Sequence, residues 1–203
     1  MFYDAVARTH GLKHDPFKAL VSPRPIGWIG SKSPEGVLNL APYSFFNAFS
    51  SYPYIVGFGS EGYKHSIANI EATGEFVVNL VGRELAEKMN QSAVDAPRGV
   101  SEFGYAGLTE APSSIVKPPR IAEAPAALEC KVTEIRSPPG LDGKPSESIV
   151  VTGEIVGIHI DDAMLKDGLF DIVAAGNVGR LGYMDYVSVD RIFAMRRPSW
   201  GKD

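Results

Sequence analysis

Arg24-Pro-Ile-Gly-Trp-Ile-Gly-Ser31 followed, after the turn Pro34-Glu35-Gly36, by Val37-Leu-Asn-Leu-Ala-Pro-Tyr-Ser-Phe-Phe46 is the stretch on which the fold turns. Two short apolar runs joined by Pro and Gly read as a pair of strands. The second run passes directly into a proline and a dense set of Asn, Ser and Phe side chains. Ring-stacking surface and hydrogen-bonding groups therefore lie together, which points to a site as well as a core.

Outward from this stretch, strand signals dominate, in runs at 26–31, 54–58, 76–81, 127–135, 148–160 and 186–194. Many short strands spaced by Gly and Pro predict a β-barrel. The long run 148–160 carries Gly153 and Gly157, which mark a bulge or bend where a barrel turns a corner, and 127–135 is its expected partner. Between them, 136–146 is too rich in Pro and Gly for an element interior and reads as an extended hairpin loop. Helices are fewer. One is expected over 66–72, capped by Ser66 and ended at Thr73-Gly74, and a second over about 83–93. From 95 to 125 the pattern breaks at Pro97, Pro112, Pro118, Pro119 and Pro125. This reads as an excursion packed over the barrel, of the kind that covers a binding site.

Composition narrows the function. The 203 residues, 44% hydrophobic, suit one globular domain over 1–203 with ample core. A net charge of -4 with scattered Lys and Arg leaves no electrostatic footprint for nucleic acid. Cys130 is the single cysteine and has no internal disulfide partner; within a strand and without a neighbouring base it reads as core. No Cys/His cluster has zinc spacing, and His10 and His14 lack the carboxylate of a zincin helix, so no metal site is expected. Charges interrupt the N-terminal segment and no run approaches the roughly 20 apolar residues that span a bilayer. A cytoplasmic protein without membrane contact is the expectation.

Familiar nucleotide motifs are missing. There is neither a Walker A sequence nor a Gly-x-Gly-x-x-Gly after a strand, and Gly57-Phe-Gly-Ser-Glu-Gly62 has no βαβ context. Lys64-His-Ser-Ile-Ala-Asn-Ile70 differs, because a cation, an imidazole and a hydroxyl precede a helix whose free N–H groups favour an anion. On these residues alone, a phosphate site and a merely capping Ser66 beside a solvated Lys64 stand equally.

Together, Arg24–Ser31, Asn39-Leu-Ala-Pro-Tyr-Ser-Phe-Phe46, Lys64–Ile70 and Thr73-Gly-Glu-Phe-Val-Val-Asn79 resemble the flavin reductase-like family with the FMN-binding split-barrel fold. The likeness runs from about Leu20 to Met195 and includes Gly153–Asp162 and Gly179–Tyr186. It implies a mainly β architecture, a six-stranded Greek-key barrel with a few peripheral helices, usually a homodimer with FMN near the subunit interface. It also implies a flavin-dependent oxidoreductase that takes reducing equivalents from NADH or NADPH and passes them to free flavin, a partner monooxygenase or another acceptor. A non-catalytic FMN-binding or carrier protein is the alternative.

Carried over by position, the resemblance puts Trp28, Ile29, Gly30 and Ser31 at the border of the isoalloxazine ring and the backbone of Asn39, Leu40, Ala41 and Pro42 at its polar edge. Tyr43, Ser44, Phe45, Phe46 and Asn47 follow the ribityl chain toward a phosphate held by Lys64 and Ser66. His65 stands where many relatives carry an acidic residue. Hydride transfer belongs to the cofactors, so no side chain is assigned as catalytic. His159, expected opposite Ile158 and Ile160 and away from the interior, and Arg180 are left with either a ligand-binding or a surface role.

Overall fold

A computed structural model describes residues 1–201. Its main sheet has seven antiparallel strands: β1 (Gly27–Lys32), β2 (Leu38–Tyr43), β3 (Phe46–Ser51), β4 (Tyr54–Glu61), β5 (Glu75–Asn79), β6 (Ala126–Arg136) and β7 (Ser148–Ile160). Their spatial order is β2-β1-β5-β6-β7-β4-β3. That order forces the sheet to curl. β2 and β3 lie at opposite edges, yet only Ser44 and Phe45 separate them in the chain. A flat sheet would hold those edges about 29 Å apart, six spacings of about 4.8 Å, and a two-residue link cannot span that. The edges therefore meet, and the Tyr43 and Phe58 rings stack across the closure at 4.6 Å.

The expected barrel is thus present as a curled sheet of seven strands. The additional strand arises because Ser44-Phe45 breaks the polar-aromatic stretch into two strands where one strand and a turn were expected. The outer edge of β2 carries no strand partner, which leaves the barrel split along that side.

Hydrophobic burial occurs on both faces of β1. Ile29, Tyr43, Phe58, Phe76, Cys130 and Val151 fill the barrel, and Ile67 and Ile70 of helix α1 (His65–Thr73) plug its end. On the other face, Trp28 and Leu40 pack against Leu85, Met89, Phe103 and Ile121. Of these, Leu85 ends the 3-10 turn Arg83–Leu85, Met89 lies in helix α2 (Ala86–Gln91) and Phe103 in helix α3 (Glu102–Tyr105). A strand buried on both sides reads as a continuous apolar run, which is why 24–31 shows no alternation.

β6 and β7 pair as the sequence predicts, with register shifts at Thr152/Gly153 and Ile155/Gly157. Gly153 has a specific reason to lack a side chain. A Cβ there would sit 2.6 Å from the Phe76 ring and 3.0 Å from the Lys131 carbonyl oxygen, and Phe76 is fully buried. Gly153→Ala is expected to cost on the order of 2 kcal/mol by overpacking. Urea unfolding would register this as a lower midpoint at unchanged slope; an unshifted midpoint would contradict the close approach.

The 95–125 excursion is pinned by side-chain acceptors of β5 and β6, two of them, Glu129 and Asn79, buried. Glu129, fully buried on β6, accepts from the N–H groups of Ser114, Ile115 and Val116 at 2.7, 2.6 and 2.9 Å, and pairs with His159. Asn79 Oδ1 accepts from Ile121 N at 2.8 Å and Glu75 from Lys117 N at 2.9 Å. His159 lies on the face opposite Ile158 and Ile160, as alternation predicts, but the excursion covers that face, so His159 is half-buried against Glu129 while Ile158 and Ile160 are exposed.

The strand expected over 186–194 is shorter than its apolar pattern, spanning Tyr186–Ser188 in a small sheet with Arg24–Pro25 and Val178–Arg180. Arg180 lies over the Tyr186 ring, 4.3 Å from its centroid. Among the described residues, no helix is long and apolar enough to cross a membrane.

Candidate functional site

The split in the barrel is a cleft of about 330 Å³ beside the open edge of β2. One wall is Asn39, Ala41, Pro42 and Tyr43; the second is the start of α1, with Lys64, His65 and Ser66; the third comes from Ser92 to Ala96 and Glu102. Pro42 suits the edge because its missing N–H forfeits no ladder hydrogen bond there.

The α1 end of the cleft has the chemistry of an anion site. The first helical hydrogen bond runs from Ala68 N to Lys64 O, so the N–H groups of His65, Ser66 and Ile67 precede the ladder, and no side chain caps them. Here the structure differs from the expected cap: the helix begins one residue early, Lys64 takes the N-cap position, and the buried Ser66 hydroxyl instead accepts from Asn39 Nδ2 at 2.8 Å. The Lys64 ammonium lies 3.8 Å from Asp95 across the opening. Free N–H groups, the helix dipole, a hydroxyl and an ammonium together favour a phosphate or carboxylate.

Deeper in, Tyr43 is 8% exposed and its hydroxyl is buried without a hydrogen-bond partner. Burial pushes the phenol pKa up, against the nearby Ser66 and Ser60 hydroxyls and with the negative charge of Glu102, so Tyr43 stays neutral. An orphaned hydroxyl beside Ser66 fits a polar ligand in this cleft.

A second concavity begins one residue further along. A groove of about 630 Å³ is lined by Ser44, Phe45, Phe46 and Asn47, with Phe17, Arg24, Phe49, Gly57 and Gly59 among its other walls. Arg24 anchors its floor by donating to the carbonyls of Lys18, Val21 and, at 2.8 Å, Leu181, with its guanidinium 5.7 Å from the Phe45 ring. The groove lining is largely apolar and aromatic, whereas polar and apolar groups share the cleft about equally, with Asn39, Lys64, Ser66, Asp95 and Glu102 among its walls. Tyr43 lines the cleft and the next residue, Ser44, lines the groove; the two concavities share no lining residue.

The residues singled out in the sequence divide among three places. Asn39, Ala41, Pro42, Tyr43, Lys64 and Ser66 line the cleft; Ser44, Phe45, Phe46 and Asn47 line the groove. Trp28, Ile29, Gly30, Ser31 and Leu40 are buried behind both. Several of these hold the walls in place: Trp28 Nε1 donates to Ser92 at 2.8 Å, and the Ser31 hydroxyl accepts from Asn69 of α1 at 3.2 Å. Leu40 N is not available to a ligand, because it donates to the Glu102 carboxylate at 2.9 Å. Sequence reasoning missed Tyr63, the whole wall from Ser92 to Ala96 and Glu102; for the two carboxylates, Asp95 and Glu102, position within the excursion was the only signal. His159 and Arg180 line neither concavity.

Comparison with known proteins accords with this geometry. A 36% identical, uncharacterized protein of Halalkalibacterium halodurans aligns over 88% of this chain and 88% of its own length. Among solved structures, a 2-nitrobenzoate 2-nitroreductase of Pseudomonas fluorescens superposes with a TM-score of 0.85 at 28% identity, covering 100% of this chain and 99% of that one. Nitrilotriacetate monooxygenase component B of Bacillus cereus shares the fold, with a TM-score of 0.87 at 24% identity over 96% and 98% of the two chains. The model of the flavin reductase like domain matches residues 20–177, and the chain belongs to that family.

Proposed function

We propose that this protein is an FMN-dependent oxidoreductase that accepts reducing equivalents from NADH or NADPH. The observation that carries the reading is the anion-favouring cleft at the start of α1, together with an aromatic groove lined in part by Ser44, the next residue in the chain after Tyr43 of the cleft. FMN has the same asymmetry, a phosphate and polyol at one end and a planar ring at the other. Lys64, Ser66 and the first N–H groups of α1 bind the phosphate; Ala41 and Pro42 flank the ribityl chain; Ser44, Phe45, Phe46 and Asn47 border the ring. Trp28, Ile29, Gly30, Ser31 and Leu40 support that border from behind, and Asn39 orients the Ser66 hydroxyl. When bound, FMN supplies the hydride-accepting centre. The protein's own part is orientation and exclusion of water.

The alternative of a non-catalytic carrier requires the nicotinamide to be kept from the ring. The 95–125 excursion would be the obstacle, yet it contributes no residue to the groove lining. This favours the reductase. The acceptor is free flavin, a partner monooxygenase or another acceptor, in keeping with the monooxygenase component B fold. We further propose a cytoplasmic homodimer joined across the exposed apolar face of Phe49, Tyr52, Tyr54 and Ile158. Titration of the purified protein into FMN, followed by fluorescence quenching, is expected to saturate at one flavin per chain. Absence of quenching would remove the flavin reading and leave a cofactor-free interaction domain.

A further inference from the structure

Glu102 is a buried carboxylate that the proposed phosphate and ring contacts do not use. It is 3% exposed and lines the cleft, and its Oε2 accepts from Leu40 N at 2.9 Å. Among the described residues no second donor reaches it, and the cleft's ammonium, Lys64, pairs with Asp95 instead. A carboxylate has about four acceptor positions, and a ligand that displaces water from the ones open to the cleft loses affinity unless it replaces those hydrogen bonds. A ligand lying here must therefore present donors to Glu102. A phosphate has none and is repelled by the charge. Hydroxyl groups meet the requirement, and a charge-assisted O–H···O bond is among the stronger neutral-to-ion contacts.

We propose that Glu102 reads the ribityl chain, with Oε1 accepting a hydrogen bond from one of its hydroxyls, and so fixes which way round the flavin lies. This rests on the flavin reading above. The carboxylate turns the phosphate toward Lys64 and α1 and holds the polyol between that end and the groove. The ring N3–H is also a donor, so the test must separate ring from chain.

Riboflavin has both ring and ribityl chain; lumiflavin keeps the ring and its N3–H but lacks the chain. Neither carries a phosphate, so the effect of Glu102 on phosphate does not enter. Quenching titrations of both ligands would compare the wild-type protein with Glu102→Gln, whose amide oxygen can still accept from Leu40 N. The expected result is riboflavin weakened by about tenfold and lumiflavin changed by less than about twofold. Glu102→Met, which also abandons Leu40 N, is expected to lower the apo melting temperature and to lose the same preference for riboflavin over lumiflavin. Equal weakening of both ligands, or of neither, by Glu102→Gln would overturn the assignment. A wild-type protein that binds neither flavin would instead overturn the flavin reading itself.

Discussion

Lys64→Ala is expected to weaken FMN by about tenfold to a hundredfold and riboflavin by less than about twofold, the loss of one charge-assisted contact to the phosphate. The asymmetry follows from where Lys64 stands. It occupies the N-cap position of α1, beside N–H groups that no side chain caps, and its ammonium reaches across the cleft mouth to Asp95. Removing it takes away the attraction and leaves Asp95 as an unopposed like charge near the phosphate. Riboflavin has no phosphate and meets neither change. The FMN effect should shrink as salt is added, because Lys64 and Asp95 are both substantially solvated. Equal losses for FMN and riboflavin at low salt would take Lys64 out of the phosphate site.

Glu129→Gln is expected to destabilise the fold by about 3 kcal/mol at pH 7, the linkage value for a carboxyl moved from 4.5 to about 2. Burial alone would raise this pKa. The N–H groups of Ser114, Val116 and Ile115, together with His159, outweigh burial and bring it down to about 2. A depressed folded-state pKa contributes stability that is fully present above the unfolded value and is lost as pH falls through the folded one. The gap between wild type and Glu129→Gln should therefore close as pH falls between about 4.5 and 2. Urea unfolding over a pH series measures it. A gap that stays constant through that range would mean that the charge on Glu129 is not what holds the excursion.

What could be read from the sequence depended on whether a residue's partner was local. β6 and β7 were legible because their β-branched runs are long and the glycines of 148–160 fall at the register shifts. Gly74 was legible as the end of α1, since its positive φ is a local demand, φ 70° here. β3 was not: Phe-Asn-Ala-Phe-Ser-Ser carries little apolar alternation because much of it faces outward at a sheet edge. The 186–194 strand was overread, since its apolar residues continue past Ser188 where the sheet does not. Glu102 was invisible because Ser-Glu-Phe-Gly-Tyr resembles any solvated turn, and its meaning comes from Leu40, 62 positions away. The face of His159, opposite Ile158 and Ile160, was legible from alternation; its cover was not, because Glu129 and the Ser114–Val116 loop that meet it there are distant in the sequence.

Topology turned these scattered residues into one site. The short Ser44-Phe45 link forces β2 and β3 together at one end, so the curled sheet stays open along β2, where α1 and the excursion supply the remaining walls. Buried β1 residues set the positions of those walls through Ser92 and Asn69. On this account the protein's contribution is a rigid, two-part receptacle with a polar end, an aromatic end and an accessible groove face.

Anaerobic mixing of the FMN-loaded protein with NADH and, separately, NADPH tests the central claim most directly. Rapid bleaching of the flavin's visible absorbance by at least one of the two nucleotides is expected, with colour returning on admission of oxygen. A bound flavin that stays oxidised with both would contradict it and leave the protein an FMN carrier.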